Sequence, residues 1–165
     1  KIKKYKDSEL ESIVKNHKGL KIGLSWKSFK NRYAKEKSLG LDDFKVLLKK
    51  ENSIFFNLQY GDINDEINIF NNKSKKKIIT LKNLDLFNDF NGLANLLSKL
   101  DIFITVSNST AHLAGALGIK TLLIKPIKHA AFHYWDYEDG KTPWYDSIKI
   151  INKEDLSNLE FVKKI

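Results

Sequence analysis

The spacing of hydrophobic and polar positions changes repeatedly along this chain, and the changes mark out alternating strands and helices. LKIGLSW, Leu20 to Trp26, is short, apolar and rich in β-formers, and predicts a first strand. After the break at Gly40, Leu41, Phe44, Val46, Leu47 and Leu48 carry a helical stripe, and SIFFNL, Ser53 to Leu58, predicts a second strand. The segment from Gly61 to Lys76 runs from acidic through asparagine-rich to basic and predicts one short helix over Glu66 to Phe70, ahead of a strand KIITL. Between Leu86 and Leu100 the residues Phe90, Leu93, Ala94, Leu96, Leu97 and Leu100 recur at helical intervals, and Asp101 separates them from the strand IFITV. A strand TLLI stops at Pro126, an aromatic loop runs from His129 to Tyr145, and Ser147 to Ile151 predicts a last strand before a terminal helix from Asp155. Ahead of all these, within Lys1 to Gly19, SELESIVKNH reads as a short amphipathic helix capped by Ser8, a connector from an upstream region. Repeated β-then-α order predicts an α/β domain with a parallel sheet, helices on both faces, and ligands at the carboxyl ends of the strands.

One stretch adds chemistry to this pattern. From Ile104 to Ile124, ITVSNSTAHLAGALGIKTLLI is strand, polar turn, small-residue helix and second strand without a gap. The turn Ser107 to Thr110 offers capping side chains and backbone donors, and the apolar helix Ala111 to Leu117 ends at Gly118. A helix starting near Ser109 or Thr110 leaves its first N–H groups without intrahelical partners, aimed beyond Val106, where a diphosphate would satisfy them. Ala111, Ala114, Gly115 and Ala116 allow close packing on the sheet, and His112 adds a donor in the first turn. A capped helix that binds nothing has the same turn chemistry, so the turn by itself leaves both readings open.

Composition narrows the class. A chain of 165 residues with 42% hydrophobic and 12% aromatic content supports one domain with a sizeable core. Cysteine is absent, which excludes disulfides and thiolate metal sites and fits a reducing, cytoplasmic setting. No apolar run approaches the roughly 20 residues of a membrane span, and no apolar segment of signal-peptide type follows the Lys-rich start. Methionine is also absent, so the chain reads as a fragment of a longer protein. The net charge of +9 raises nucleic acid or an anionic membrane as a partner, and such a binder would gather its lysines on one face. Arg32 is the lone arginine, however, and the lysines are spread among Asn and Ile, a bias that needs no nucleic-acid partner.

Other chemistry-bearing residues have plain structural uses. His129 and His133, with Asp136 nearby, supply too few ligands for a metal site, and no metal is expected. Tyr134, Trp135, Tyr137, Trp144 and Tyr145 can stack on a sugar or base, or fill space under the loop. Asp85 and Asp89 are expected as helix-start caps and His17 as solvent-exposed.

The string NSTAHLAGALGIKTLLIKP resembles the signature of the C-terminal domain of bacterial GT-B glycosyltransferases associated with tetratricopeptide repeats, relatives of the heptosyltransferase and O-GlcNAc-transferase groups. KIGLSWKS, FFNLQYGD, LFNDFNGLANLLSKLDIFITV and YWDYEDGKTPWYDSIKII agree with it in order, so the resemblance covers Leu20 to the C-terminus. It implies a Rossmann-like, doubly wound domain over residues 20–165, the C-terminal half of a GT-B fold, with residues 1–19 as connector. It also implies a UDP- or ADP-linked sugar as donor and no cofactor, in an inverting, metal-independent transferase. Carried across motif by motif, Ser107, Asn108, Ser109, Thr110, Ala111 and His112 would cradle the diphosphate. Lys27 would place a positive charge near it to stabilise the leaving group, and Gln59 would face the nucleotide. The catalytic base and most of the hold on the acceptor, a glycan or protein, would come from an upstream domain of the same polypeptide, so this chain alone is expected to be inactive or nearly so. The relatives often read Asp-Thr where this chain has Ser107 and Asn108, which keeps a non-catalytic interaction module with a degenerate donor site as the alternative. Another doubly wound domain, such as a flavodoxin-like one, is the alternative at the level of the fold.

Overall fold

The computed structural model describes residues 7–29, 34–125, 135 and 140–165. Among the described residues six strands form one sheet: β1 Leu20–Ser25, β2 Ser53–Asn57, β3 Ile78–Ile79, β4 Ile102–Val106, β5 Thr121–Ile124 and β6 Ile148–Ile151. Their spatial order is β3-β2-β1-β4-β5-β6 and every pairing between neighbours is parallel. This is the Rossmann-like, doubly wound arrangement, in which the chain reverses direction of travel across the sheet between β1 and β4. The register there pairs Leu24 with Ile104 and Ser25 with Thr105, so both strands end side by side.

The helices are α1 Ser8–Asn16, α2 Ala34–Lys37, α3 Asn64–Lys73, α4 Phe90–Ser98, α5 Ser109–Ala116 and α6 Leu159–Lys164. Strand side chains alternate between two cores. Ile22, Leu24, Ile102, Ile104 and Val106 face one core with Phe44, Leu47, Ile67 and Val162. Phe56 and Phe103 face the other with Leu10, Leu93, Leu96, Leu97 and Ala114. Burial of a ring such as Phe103, fully inaccessible between sheet and helices, contributes about 2–3 kcal/mol. Gly23, between Ile22 and Leu24, lies on the second face, where side chains leave no room for a Cβ: it would stand 2.5 Å from Leu100 Cδ1 and 2.9 Å from Leu58 Cδ1.

Several elements differ from the sequence expectation for identifiable reasons. The cap of α1 is Asp7, not Ser8; its Oδ1 accepts from Glu9 N at 2.9 Å and Leu10 N at 3.1 Å. That helix is packed into the domain by Leu10 and by the Lys99–Glu11 ion pair. His17, at its C-terminal cap, is half-buried rather than exposed, with Nε2 shielded from solvent, because the chain turns at once into β1. The stripe after Gly40 forms two 3-10 turns, Leu41–Phe44 and Leu47–Lys49, instead of one α-helix. Leu41, Phe44 and Leu47 are three apart and all buried, which matches the three-residue period of a 3-10 turn. Helix α3 extends past Glu66 to Phe70 at both ends. The terminal segment forms a 3-10 turn, Lys153–Ser157, and then α6, because Asn158 caps a new helix by accepting from Glu160 N and Phe161 N.

Candidate functional site

The site residues expected from sequence gather where β1, β2 and β4 end and α5 begins. Asn108 has extended backbone and caps α5: its Oδ1 accepts from Ala111 N at 3.1 Å. The amide orientation follows from that bond, since a backbone N–H must be met by oxygen. Asn108 Nδ2 then donates to Ser25 Oγ at 2.8 Å, tying the end of β4 to the end of β1 across the point of reversal. Ser25 Oγ in turn donates a hydrogen bond to Gln59 Oε1 at 3.0 Å.

Gln59 is buried and organises the turn after β1. Its Oε1 also accepts from Trp26 N at 2.8 Å and Lys27 N at 2.6 Å, while Nε2 donates to Tyr60 O at 2.8 Å. The residue expected to face the nucleotide thus spends its carbonyl on the backbone that carries Lys27. The Lys27 ammonium pairs with Glu66 of α3, whose other oxygen accepts from Trp26 Nε1 at 3.2 Å. Both members of that pair are about a third exposed or less, at 33% and 27%.

The turn residues divide their work. Ser107 is buried and its Oγ accepts from Trp135 Nε1 at 2.9 Å. Ser109 is exposed, whereas Thr110 and Ala111 are buried. His112 is half-buried, with Nδ1 3.2 Å from the Tyr145 hydroxyl and its ring stacked on Trp135 at 4.3 Å between centroids. Burial pushes its pKa below the ordinary histidine value. Gly118, at φ +70°, ends the helix, and Ile119 N reaches back to Ala114 O at 3.0 Å.

Beside the front of α5 lies a pocket of about 360 Å³. Ser109, Thr110 and Leu113 form its helix side; Tyr60, Phe87 and Phe90 form its aromatic side. Phe87 and Phe90 are exposed, and Tyr60 lies between Phe29 and Phe87 with ring centroids 5.5 and 5.9 Å away. The rim is shaped by Asp85, which accepts from Phe87 N, Asn88 N and Asn88 Nδ2, and by Asp89, which caps α4 through Gly92 N. The Asn88 amide and these two N–H groups hold the Asp85 carboxyl below its ordinary pKa. Asp89 is therefore the expected cap, and Asp85 is a turn residue just ahead of it.

Ser25 and Glu66 were not legible as site residues. Ser25 carries no signal beyond its place at a strand end, and Glu66 meets Lys27 only because α3 returns beside β1. Of the two uses open to the aromatics of the loop ending at Tyr145, Trp135 and Tyr145 take the packing one: they buttress α5 from outside the pocket. His129, His133, Tyr134, Asp136, Tyr137 and Arg32 lie outside the described residues. Among the described residues no group of three His, Cys, Asp or Glu side chains is placed to hold a metal, and no helix is long and apolar enough to cross a membrane.

No family model matches the chain. Over 132 residues it is 30% identical to Protein FlbA of Caulobacter vibrioides; the aligned part is 79% of this chain and 22% of that protein. The chain thus spans about a fifth of the length of the curated relative it matches.

Proposed function

We propose that this chain is the nucleotide-diphosphate-sugar-binding domain of an inverting, metal-independent GT-B glycosyltransferase and part of a longer enzyme. The observation that carries the reading is that Ser109 and Thr110 belong both to the front of α5 and to the wall of the aromatic pocket. A nucleoside diphosphate has the matching chemistry, a flat base for Tyr60, Phe87 and Phe90 and an anionic group for the helix N-terminus. It also fits the place, since doubly wound sheets take such ligands where the strand order reverses.

The charge that develops in sugar transfer lies on the departing nucleoside diphosphate. A helix N-terminus and the Lys27 ammonium would stabilise it there, and the Gln59 carbonyl would hold the Lys27 backbone in place. The acceptor and its general base belong to another domain of the same polypeptide. The departure from Asp-Thr does not leave the turn slack: Asn108 caps α5 and ties it to β1, and Ser107 meets Trp135. An exposed Ser109 that lines the pocket speaks against the non-catalytic alternative, which calls for an occluded or misdirected helix N-terminus.

Isothermal titration with UDP-, ADP- and GDP-linked sugars tests the reading. Binding of one of them, weakened by Lys27→Met, is the expected outcome; no heat from any at millimolar ligand overturns it.

A further inference from the structure

Tyr145 lies outside the turn and helix of the corner, yet its hydroxyl meets a His112 ring nitrogen. Its ring is edge-on to the imidazole, 5.9 Å away at 70°, with the hydroxyl 3.2 Å from Nδ1. It also rests on the backbone of α5 at Gly115, where a Cβ would come within 2.4 Å of Tyr145 Cγ. Trp135, fully buried, stacks on the same imidazole at 29° and lies 6.2 Å from the Tyr145 ring. The phenol is therefore held by contacts with α5, the indole and the imidazole.

A phenol next to an imidazole nitrogen either donates or accepts. Burial lowers the His112 pKa, so the ring is neutral at pH 7. The lone pair of a neutral imidazole nitrogen is the stronger acceptor of the two and the phenol the stronger donor. The Tyr145 hydroxyl then donates to Nδ1, and the ring proton sits on Nε2.

We propose that Tyr145 is a positioning residue that holds His112 in its Nε2–H form and in one orientation at the first turn of α5, as a neutral donor to an anionic oxygen of a nucleoside diphosphate. The ligand half of this inference rests on the donor-site reading above; the hydrogen bond stands on its own geometry. Without the hydroxyl the Nε2–H form loses the bond that Tyr145 gives it at Nδ1, and the donor is presented less of the time.

Tyr145→Phe keeps the ring on Gly115 and Trp135 and removes only the hydroxyl. Long-range proton–nitrogen correlation spectra of the nitrogen-15-labelled chain read the ring nitrogens of His112, identified by their loss in His112→Gln, and calorimetry with uridine diphosphate reads binding. In the unsubstituted chain Nε2 is expected to carry the proton and Nδ1 to show a hydrogen-bonded acceptor. In the variant the Nδ1 signal shifts with loss of the Tyr145 bond, and diphosphate affinity falls about fivefold, the worth of one neutral hydrogen bond. A proton found on Nδ1, or ring signals unchanged by Tyr145→Phe, overturns the proposal even if affinity falls, because the role is then structural only. Ring signals as expected, together with no diphosphate binding by the unsubstituted chain, uphold the hydrogen bond and overturn the donor-site reading.

Discussion

Asn108→Ala is the most direct perturbation of the corner. It deletes the cap of α5 and the tie to Ser25 in one step, at a residue only 9% exposed, where water does not replace either bond. Loss of an N-cap costs about 1 kcal/mol. Loss of the second bond costs about 1 kcal/mol net. The buried Ala111 N–H loses its acceptor, a cost the cap figure already contains, and Ser25 Oγ still donates to Gln59 Oε1, so the sum stays near 2 kcal/mol. With a urea dependence of about 2 kcal/mol per molar, the unfolding midpoint followed by circular dichroism falls by about 1 M. Asn108→Asp separates the two roles. It keeps an oxygen for Ala111 N and gains from the helix N-terminus, so its stability stays within about 1 kcal/mol of the unsubstituted chain. It also sets a negative charge beside the proposed diphosphate site and weakens diphosphate binding by about tenfold. An Asn108→Ala midpoint equal to that of the unsubstituted chain, or an Asp variant as unstable as the Ala variant, would refute the capping argument.

Three further outcomes follow from the same geometry. Glu66→Gln frees Lys27 from an ion pair whose members are about a third exposed or less; stability should change by less than about 1 kcal/mol, while diphosphate affinity by calorimetry rises about two- to fivefold. Gly115→Ala drives a methyl into the Tyr145 ring, and although Ala is the better helix former by about 1 kcal/mol, the overpacking should leave a net loss of about 1 kcal/mol in urea unfolding. Because the folded-state pKa of His112 is depressed from 6.5, the unfolded chain binds the proton more readily; stability should be level above 6.5 and fall as pH drops through that value, with a shallower fall in His112→Gln across an acid titration.

Local signals in the chain were strong where they were simple. The short β-rich runs became β1, β2, β4, β5 and β6, and the small-residue helix after Ser107 became α5, because an apolar run bounded by turn residues has few other ways to bury itself. Asp89 was legible as a cap for the same local reason. The stripe from Leu41 to Leu48 was not fully legible: spacings of three and four share residues, and packing against the sheet chose 3-10 turns.

What the sequence determined by itself, then, was the alternation of strands and helices and the chemistry of the turn from Ser107 to Thr110, since both depend on neighbours within a few positions. Only the tertiary structure decided which strand ends meet. The order β3-β2-β1-β4-β5-β6 brings Ser25 and Gln59 within hydrogen-bonding reach of each other and Asn108 onto Ser25. It likewise sets Glu66 on Lys27 and Tyr145 on His112. These partners are 33 to 83 residues apart in the chain, and no periodicity reaches that far; what joins them is the burial of two opposite sheet faces, which fixes where every strand must end.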